Sequence, residues 1–407
     1  MKDSDTAIVT TDSMPLSGVR VLDLTQIYNG PYATFLMAMA GAEVIKVEPP
    51  GGEYLRRRDA RSGAGVPFAM LNANKGSISL NLKSEDGVAL FLKLVASADV
   101  VIENYAPGVM DRLGVGYDVL KAVNPSLIFA SGSGYGSDGP YRDYPAMDLT
   151  VQAMAGIMSI TGFPENAPVK SGAALCDFFG GVHLYGAITT ALFQRSRTGL
   201  GACIEVAMLD AVYPSLASSI GMSYGARTDI PERTGNRHGG LSLCPYNVYP
   251  TSDGHVAIIC NNDKHWQNLL EVMGRQELAT DPRMVDMRQR VANMALVDDM
   301  IGAWTSTMTR EQLFSILVAG RVPSAPVREL REVMDDAHMH ERGMLFEIDH
   351  PQYGPITVCR SPINFQGQDQ ASYQPSPEYA TDNARVYGDW LGLEEAAQAD
   401  LKARGVI

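Results

Sequence analysis

The sequence predicts an α/β protein: a doubly wound, mainly parallel sheet in a large domain, plus a smaller α+β domain. Three observations carry this. Short β-branched runs alternate with helical periodicity over the first ~140 residues. The pattern turns helical from 148 to 196. A Gly-, Arg- and Pro-rich stretch at 222–240 then precedes a hairpin pattern and several helices. At 407 residues and ~150 residues per domain, two or three domains are expected. The N-terminal part of the large domain is expected over 1–221, the linker and small domain over 222–334, and a segment returning to the large domain over 335–407.

Residues 1–15 are polar and read as an arm. The run 19–24 is a buried strand, bounded by Gly18 and by Tyr28-Asn29-Gly30-Pro31. Pro31 fits the first position of the following helix, where its missing N–H costs nothing. That helix stops near Gly41, and 43–48 is a second strand. Strand, helix and strand make a right-handed parallel βαβ unit. A third strand over 77–82 leads to Ser84, a helix cap with Glu85 and Asp86 in the first turn. Strands follow at 99–104 and 127–136, the latter running into a glycine-rich loop. Apolar stretches over 150–162 and 180–199 read as helices, and 202–212 as a strand entering a helix. The run 246–260 is a hairpin with Asp253-Gly254 as its turn. Helices are expected within 266–274, 290–308 and 310–320. Beyond ~335 periodic segments are few.

Composition excludes several functions. The 46 acidic and 33 basic residues give a net charge of -13, which argues against non-specific nucleic-acid binding or anionic membranes. It leaves room for a local basic pocket. Cys176, Cys203, Cys244, Cys260 and Cys359 form no CxxC pair, which fits a reducing cytoplasm. Apolar runs fall short of the ~18 residues of a membrane helix. The first residues lack a secretory apolar core. A soluble cytoplasmic protein is expected. No P-loop motif is present, and Ser137 replaces the third glycine of a dinucleotide fingerprint. Seven histidines without clustered cysteines, with His338 and His340 on different faces of a helix, argue against a metal site.

The sharpest local feature is 171–181. Asp177 lies at a helix start, followed by Gly180 and Gly181. In a purely structural role it is an N-cap. In a functional role, helix-start N–H groups keep its carboxylate ionised, the glycines let a bulky ligand approach, and the carboxylate is a nucleophile. Asp148 is either another helix cap or a residue that orients the ligand or tunes the pKa of Asp177.

Seven motifs in order carry a resemblance: PLSGVRVLDLTQIYNGPYAT, GAEVIKVEPPGG, NANKGSISLNLKSEDG, ADVVIENYAPGVMDRLGVGYDVL, SGSGYGSDGPYRDYPAMD, SGAALCDFFGGVHLYGAITTALFQRSRTGLG and IEVAMLDA. The chain resembles the CaiB/BaiF family, the class III CoA-transferases and related acyl-CoA racemases. The likeness is dense through the seven motifs and thinner through GNRHGG and YNVYPTSDGHVAI. It implies that Asp177 attacks an acyl-CoA thioester, giving a mixed anhydride and then an aspartyl-CoA thioester. An acceptor acid reverses the sequence, and no ATP is needed. Coenzyme A and acyl-CoA are therefore substrates, not a permanently bound cofactor. The resemblance places Tyr28 and Asn29 beside the thioester end, and Leu80, Asn81, Leu82 and Lys83 beside the adenine. Asn104, Tyr105 and Arg112 follow the fourth strand, with Met147 and Asp148 also at the CoA site. Lys83 and Arg112 would pair with phosphates. The run Arg56, Arg57, Arg58 either reaches the 3′-phosphate or faces solvent. His238, Gly239 and Gly240 lie where transferases carry a glycine loop over the intermediate, with His238 binding the acceptor carboxylate. Their match is shorter than in the oxalate enzymes of the family. Racemases carry histidine at Met147, and methionine cannot exchange a proton, which favours transfer between small carboxylic acids, with succinyl-CoA as a donor. A racemase or epimerase, or a non-catalytic CoA-binding subunit of a hetero-oligomer, are the alternatives. The family fold implies an interlocked homodimer, with 222–240 as a crossing segment.

Overall fold

The computed structural model describes residues 14–58, 63, 65–225, 231–367 and 371–407. Residues 1–13 of the expected arm and 226–230 of the expected linker lie outside the described residues. The chain forms two compact units. One holds the residues up to Val151, Ala173–Val212 and Asp336–Ile407; the other holds Gln152–Gly172 and Tyr213–Asp335.

The first unit is built on six parallel strands: β1 (Arg20–Asp23), β2 (Glu43–Glu48), β3 (Gly76–Ser79), β4 (Val100–Glu103), β5 (Ile128–Ser133) and β6 (Ala202–Ala207). Their order is β3-β2-β1-β4-β5-β6. Helices follow the strands: α1 (Asn29–Met39), α2 (Val66–Leu71), α3 (Glu85–Val95), α4 (Val109–Arg112), α5 (Tyr117–Val123), α6 (Asp148–Met154) and α7 (Leu175–Thr198). Successive strand side chains point to opposite faces. Leu22, Ile45, Val101 and Phe129 pack against Leu90, Phe91 and Leu94 of α3. Val21, Val44, Val100 and Ile128 pack against Met37 of α1 and Leu184 and Ile188 of α7. Burial on both faces explains the continuous apolar runs of these strands.

Local signals set the helix ends. Ser84 Oγ accepts from the Gly87 N–H at 3.1 Å, as its position predicts. α1 starts at Asn29, so Pro31 is its third residue and not its first; the first turn has no intrahelical N–H bonds to lose. The helix expected over 150–162 stops at Met154, just before Gly156 takes a left-handed φ of 84°. The C-terminal segment is more structured than its weak periodicity suggests. The antiparallel pair β10 (Leu345–His350) and β11 (Gly354–Cys359) is joined by helices Asn383–Asp389 and Glu395–Ala403. Asp382 accepts from the Ser77 N–H at 2.8 Å, and Tyr387 donates to the Ser79 carbonyl at 2.7 Å. These bonds cover the β3 edge, an otherwise open pairing surface.

The second unit pairs a three-stranded antiparallel sheet, β7 (Tyr246–Thr251), β8 (Gly254–Ile259) and β9 (Ser324–Pro326), with helices. Its core gathers Trp266, Leu269, Ile301 and Leu313. The hairpin turn is Ser252-Asp253, one residue earlier than expected, because Thr251 pairs with Gly254. The expected helix over 290–308 divides at Asn293. No helix among the described residues is long and apolar enough to cross a membrane.

Candidate active site

The sheet order reverses between β1 and β4, where α/β sheets open a crevice at their carboxyl ends. A cavity of about 500 Å³ lies there, lined by Gln26, Ile27 and Asn29 after β1 and by Asn104–Pro107 after β4. The β5–α6 loop, Asp148 and Asp177 complete the wall.

The β1 loop is held from beneath. Asp23, fully buried, accepts from Thr25 Oγ1 and the Thr25 N–H, from Thr34 Oγ1 at 2.7 Å and from Lys75 Nζ at 3.0 Å. Burial opposes its charge, but Lys75 and Lys46 with the two hydroxyls outweigh it and hold the carboxyl well below its ordinary range. Lys46 Nζ also donates to the Thr25 carbonyl at 2.8 Å. From the side, Asn104 clamps Gln26: its Oδ1 accepts from the Gln26 N–H and its Nδ2 donates to the Gln26 carbonyl, both at 2.8 Å. The next residue, Ile27, has a φ of 65°. A β-branched residue there costs about 1–3 kcal/mol, a strain typical of functional loops.

Asp177 is 8 % exposed and is the third residue of α7. The N-cap expectation is corrected: Ala174 occupies that position. The N–H groups of Cys176 and Asp177 donate instead to Asp148 Oδ1, at 2.8 and 3.3 Å. This also overturns the expectation that helix N–H groups keep Asp177 ionised. Asp148 takes those donors, and no hydrogen bond reaches the Asp177 carboxylate among the described residues. Burial first, and then the negative charge of Asp148, push its pKa up to about 7. Asp148 thus caps α7 from outside it and tunes its neighbour.

Gly180 and Gly181 do not open a path for a ligand. A Cβ on Gly180 would meet Asn29 Nδ2 at 2.1 Å, and one on Gly181 the Asn29 carbonyl oxygen at 2.6 Å. The glycines let α1 pack against α7. Phe178, beside the aspartate, lies edge-on to Tyr32 at 4.9 Å and stacks with Tyr28 at 6.2 Å.

Asn29, Asn104, Tyr105, Arg112, Met147, Asp148 and Asp177 therefore line one cavity. Tyr28 stands behind it against Phe178. Leu80, Asn81, Leu82 and Lys83 are not on its wall: Leu80 is a core side chain, and Asn81 forms a turn with Lys83 and bonds to Val406. Arg56 is taken by Glu48, at 2.8 and 2.9 Å, and by the Phe68 ring, so it is not held ready for a phosphate. His238, Gly239 and Gly240 belong to the second unit, where His238 Nδ1 accepts from the Gly240 N–H at 3.2 Å. Sequence reasoning passed over Ile27, Arg142, Tyr144 and Met208. The cluster YRDY, after a glycine loop at a strand's carboxyl end, was the available signal for Arg142. Arg112 and Arg142 bring positive charge to the cavity, local relief in an acidic chain.

A ligand-sized cavity at the switch point of a parallel sheet lies where α/β enzymes characteristically bind their ligands. The chain belongs to CoA-transferase family III, whose model matches residues 16–383, and its activity class is CoA transfer. It is 38% identical over 364 residues to the acetyl-CoA:oxalate CoA-transferase of Acetobacter aceti, covering 89% of this chain and 92% of that one. It is 38% identical over 359 residues to the succinyl-CoA:mesaconate CoA-transferase of Haloarcula hispanica, covering 86% and 89%. The crystal structure of a CAIB/BAIF family protein from Brucella suis superposes with a TM-score of 0.82 at 35% identity, covering 93% of this chain and 99% of that one.

Proposed function

We propose that the protein moves coenzyme A from an acyl-CoA donor to a small carboxylic acid through covalent intermediates on Asp177. The observation that carries this is a buried carboxylate, without a hydrogen-bond donor among the described residues, on the wall of the switch-point cavity. An Asp177 oxygen attacks the thioester carbonyl, the C–S bond breaks, and the CoA thiolate leaves behind a mixed anhydride. The thiolate attacks the Asp177 carbonyl carbon, the anhydride C–O bond breaks, and the donor leaves as its carboxylate. The acceptor carboxylate attacks the aspartyl thioester and the steps reverse. Thioester energy is conserved throughout, and each step is an acyl transfer.

Met147 is 57 % exposed and lines the cavity. It offers no base for α-proton exchange, which supports transfer over racemisation. Arg112 and Arg142 suit the phosphates of coenzyme A. The relatives named for oxalate and mesaconate support a small dicarboxylate acceptor, with succinyl-CoA among the donors to test first. Phe179, Val182 and Phe193 are exposed along α7, which supports a homodimer that covers this face.

The test is to mix the protein with acetyl-CoA or succinyl-CoA, add hydroxylamine or borohydride, and weigh the peptide containing Asp177. A mass change there, absent in Asp177→Ala, is the expected result. An unmodified peptide during full turnover would overturn the mechanism.

A further inference from the structure

We infer that Asn29 is a positioning residue that fixes the main chain of Asp177, not a contact whose main task is to bind coenzyme A. This rests on Asp177 being the nucleophile. The Asn29 side chain, 3 % exposed, occupies a slot walled by glycines from two other elements. A Cβ would stand 2.1 Å from its Nδ2 if added to Gly180 of α7, and 2.5 Å from its Oδ1 if added to Gly132 of β5. Gly181 approaches its main-chain oxygen in the same way, at 2.6 Å. None of the three glycines has a positive φ. Backbone conformation therefore does not call for glycine at these places; close approach does, of the Asn29 side chain at Gly180, of that side chain with Leu184 at Gly132, and of the Asn29 main chain at Gly181.

Within the slot, Nδ2 donates to the main-chain oxygen of Asp177 across a long 3.4 Å bond. One side chain thus bonds the start of α1 to the first turn of α7 and packs against Gly132 at the end of β5. Oδ1 is buried with no hydrogen-bond partner among the described residues. A buried orphan acceptor is destabilising, so stability alone does not favour asparagine here. What asparagine provides is geometric: it fills the slot and holds a carbonyl two bonds from the nucleophile's Cα. Misplacing a reacting group by ~1 Å costs up to ~10²-fold in rate.

Two variants and their combination test this in the full chain. Asn29→Ala removes the orphan oxygen along with the wedge, so folding is retained. Its kcat is expected to fall about 10–100-fold, while KM for acyl-CoA and Kd for coenzyme A stay within about twofold. Gly180→Ala drives a methyl into the slot, lowering both kcat and the thermal midpoint. In the Asn29→Ala background the same methyl finds room, so the double variant recovers the midpoint lost in Gly180→Ala. A raised KM and Kd with unchanged kcat in Asn29→Ala would instead make Asn29 a CoA contact and overturn the inference. So would additive effects of the two substitutions on the midpoint. Full activity in Asp177→Ala is a separate result, which would remove the nucleophile assignment and leave the midpoint coupling to be read by itself.

Discussion

Two carboxylates are buried around the same switch point and are treated in opposite ways. Asp23, beneath the β1 loop, is surrounded by donors: Lys75, two hydroxyls and the Thr25 N–H. Asp177, on the cavity wall, receives none among the described residues, because Asp148 takes the helix N–H groups beside it. One is held ionised far below its ordinary range, and the other is pushed up to about 7. Burial is common to both; donor supply differs. The satisfied carboxylate braces a strained loop, and the starved one keeps its lone pairs unengaged, as the proposed nucleophile requires. Perturbed groups concentrate at functional sites, and on the proposed function this pair separates a structural perturbation from a reactive one.

The contrast can be broken most sharply at Asp177. Asp177→Ala is expected to cut the transfer rate by at least ~10³-fold while the far-UV spectrum and CoA binding persist. Lys75→Met should instead act on stability, leaving Asp23 buried and short of its charge partner at a cost of about 3–5 kcal/mol, read by urea unfolding. Equal losses of activity and stability in both variants would dissolve the distinction.

The two residues also predict opposite pH signatures. The lowered pKa of Asp23 contributes stability above its unfolded value of 3.8, lost only as pH falls through the folded value. The raised pKa of Asp177 means the folded state holds its proton longer, so stability is reduced as pH rises from 3.8 through about 7. Asp177→Asn should therefore raise the thermal midpoint more at pH ~8 than at pH ~5. In turnover, kcat/KM should climb as pH rises through about 7, following the ionised fraction of Asp177. Asp148→Asn should move that limb to lower pH, but only part of the way to 3.8, because burial is the larger cause. The smallest effect is expected at Asn104→Ala. Loss of its two bonds to Gln26, about 1 kcal/mol each, should raise KM for acyl-CoA several-fold with little change in the midpoint.

The sequence made much of this visible. The apolar runs of β1, β2, β4 and β5 stand out because both faces of the sheet are covered, and Ser84 was readable as a cap from its neighbours alone. Asp177 was legible as a candidate because a carboxylate at a glycine-rich helix start is unusual. Its electrostatics were not, since the N–H donors go to Asp148, 29 residues earlier in the chain. The same is true of Gly180 and Gly181, whose purpose depends on Asn29, which lies 148 residues before its bonding partner Asp177. The left-handed φ of Ile27 leaves no trace in residue type, because β-branched residues normally avoid it. Arg142 sits in a loop without periodicity, where only the YRDY cluster after the glycine loop marks it. The C-terminal hairpin and helices are short, and helix Asn383–Asp389 is held by its bonds to β3, which no local propensity announces.

A single-turnover experiment without acceptor tests the central claim most directly. The protein is mixed with limiting succinyl-CoA or acetyl-CoA, whichever labels the Asp177 peptide, and release of the donor acid is followed by rapid quench across pH ~5 to ~9. The expected result is up to one equivalent of acid per acyl-CoA added, at a rate rising through pH about 7, and none from Asp177→Ala. A burst that survives in Asp177→Ala, or acid release only after acceptor is added, would contradict it.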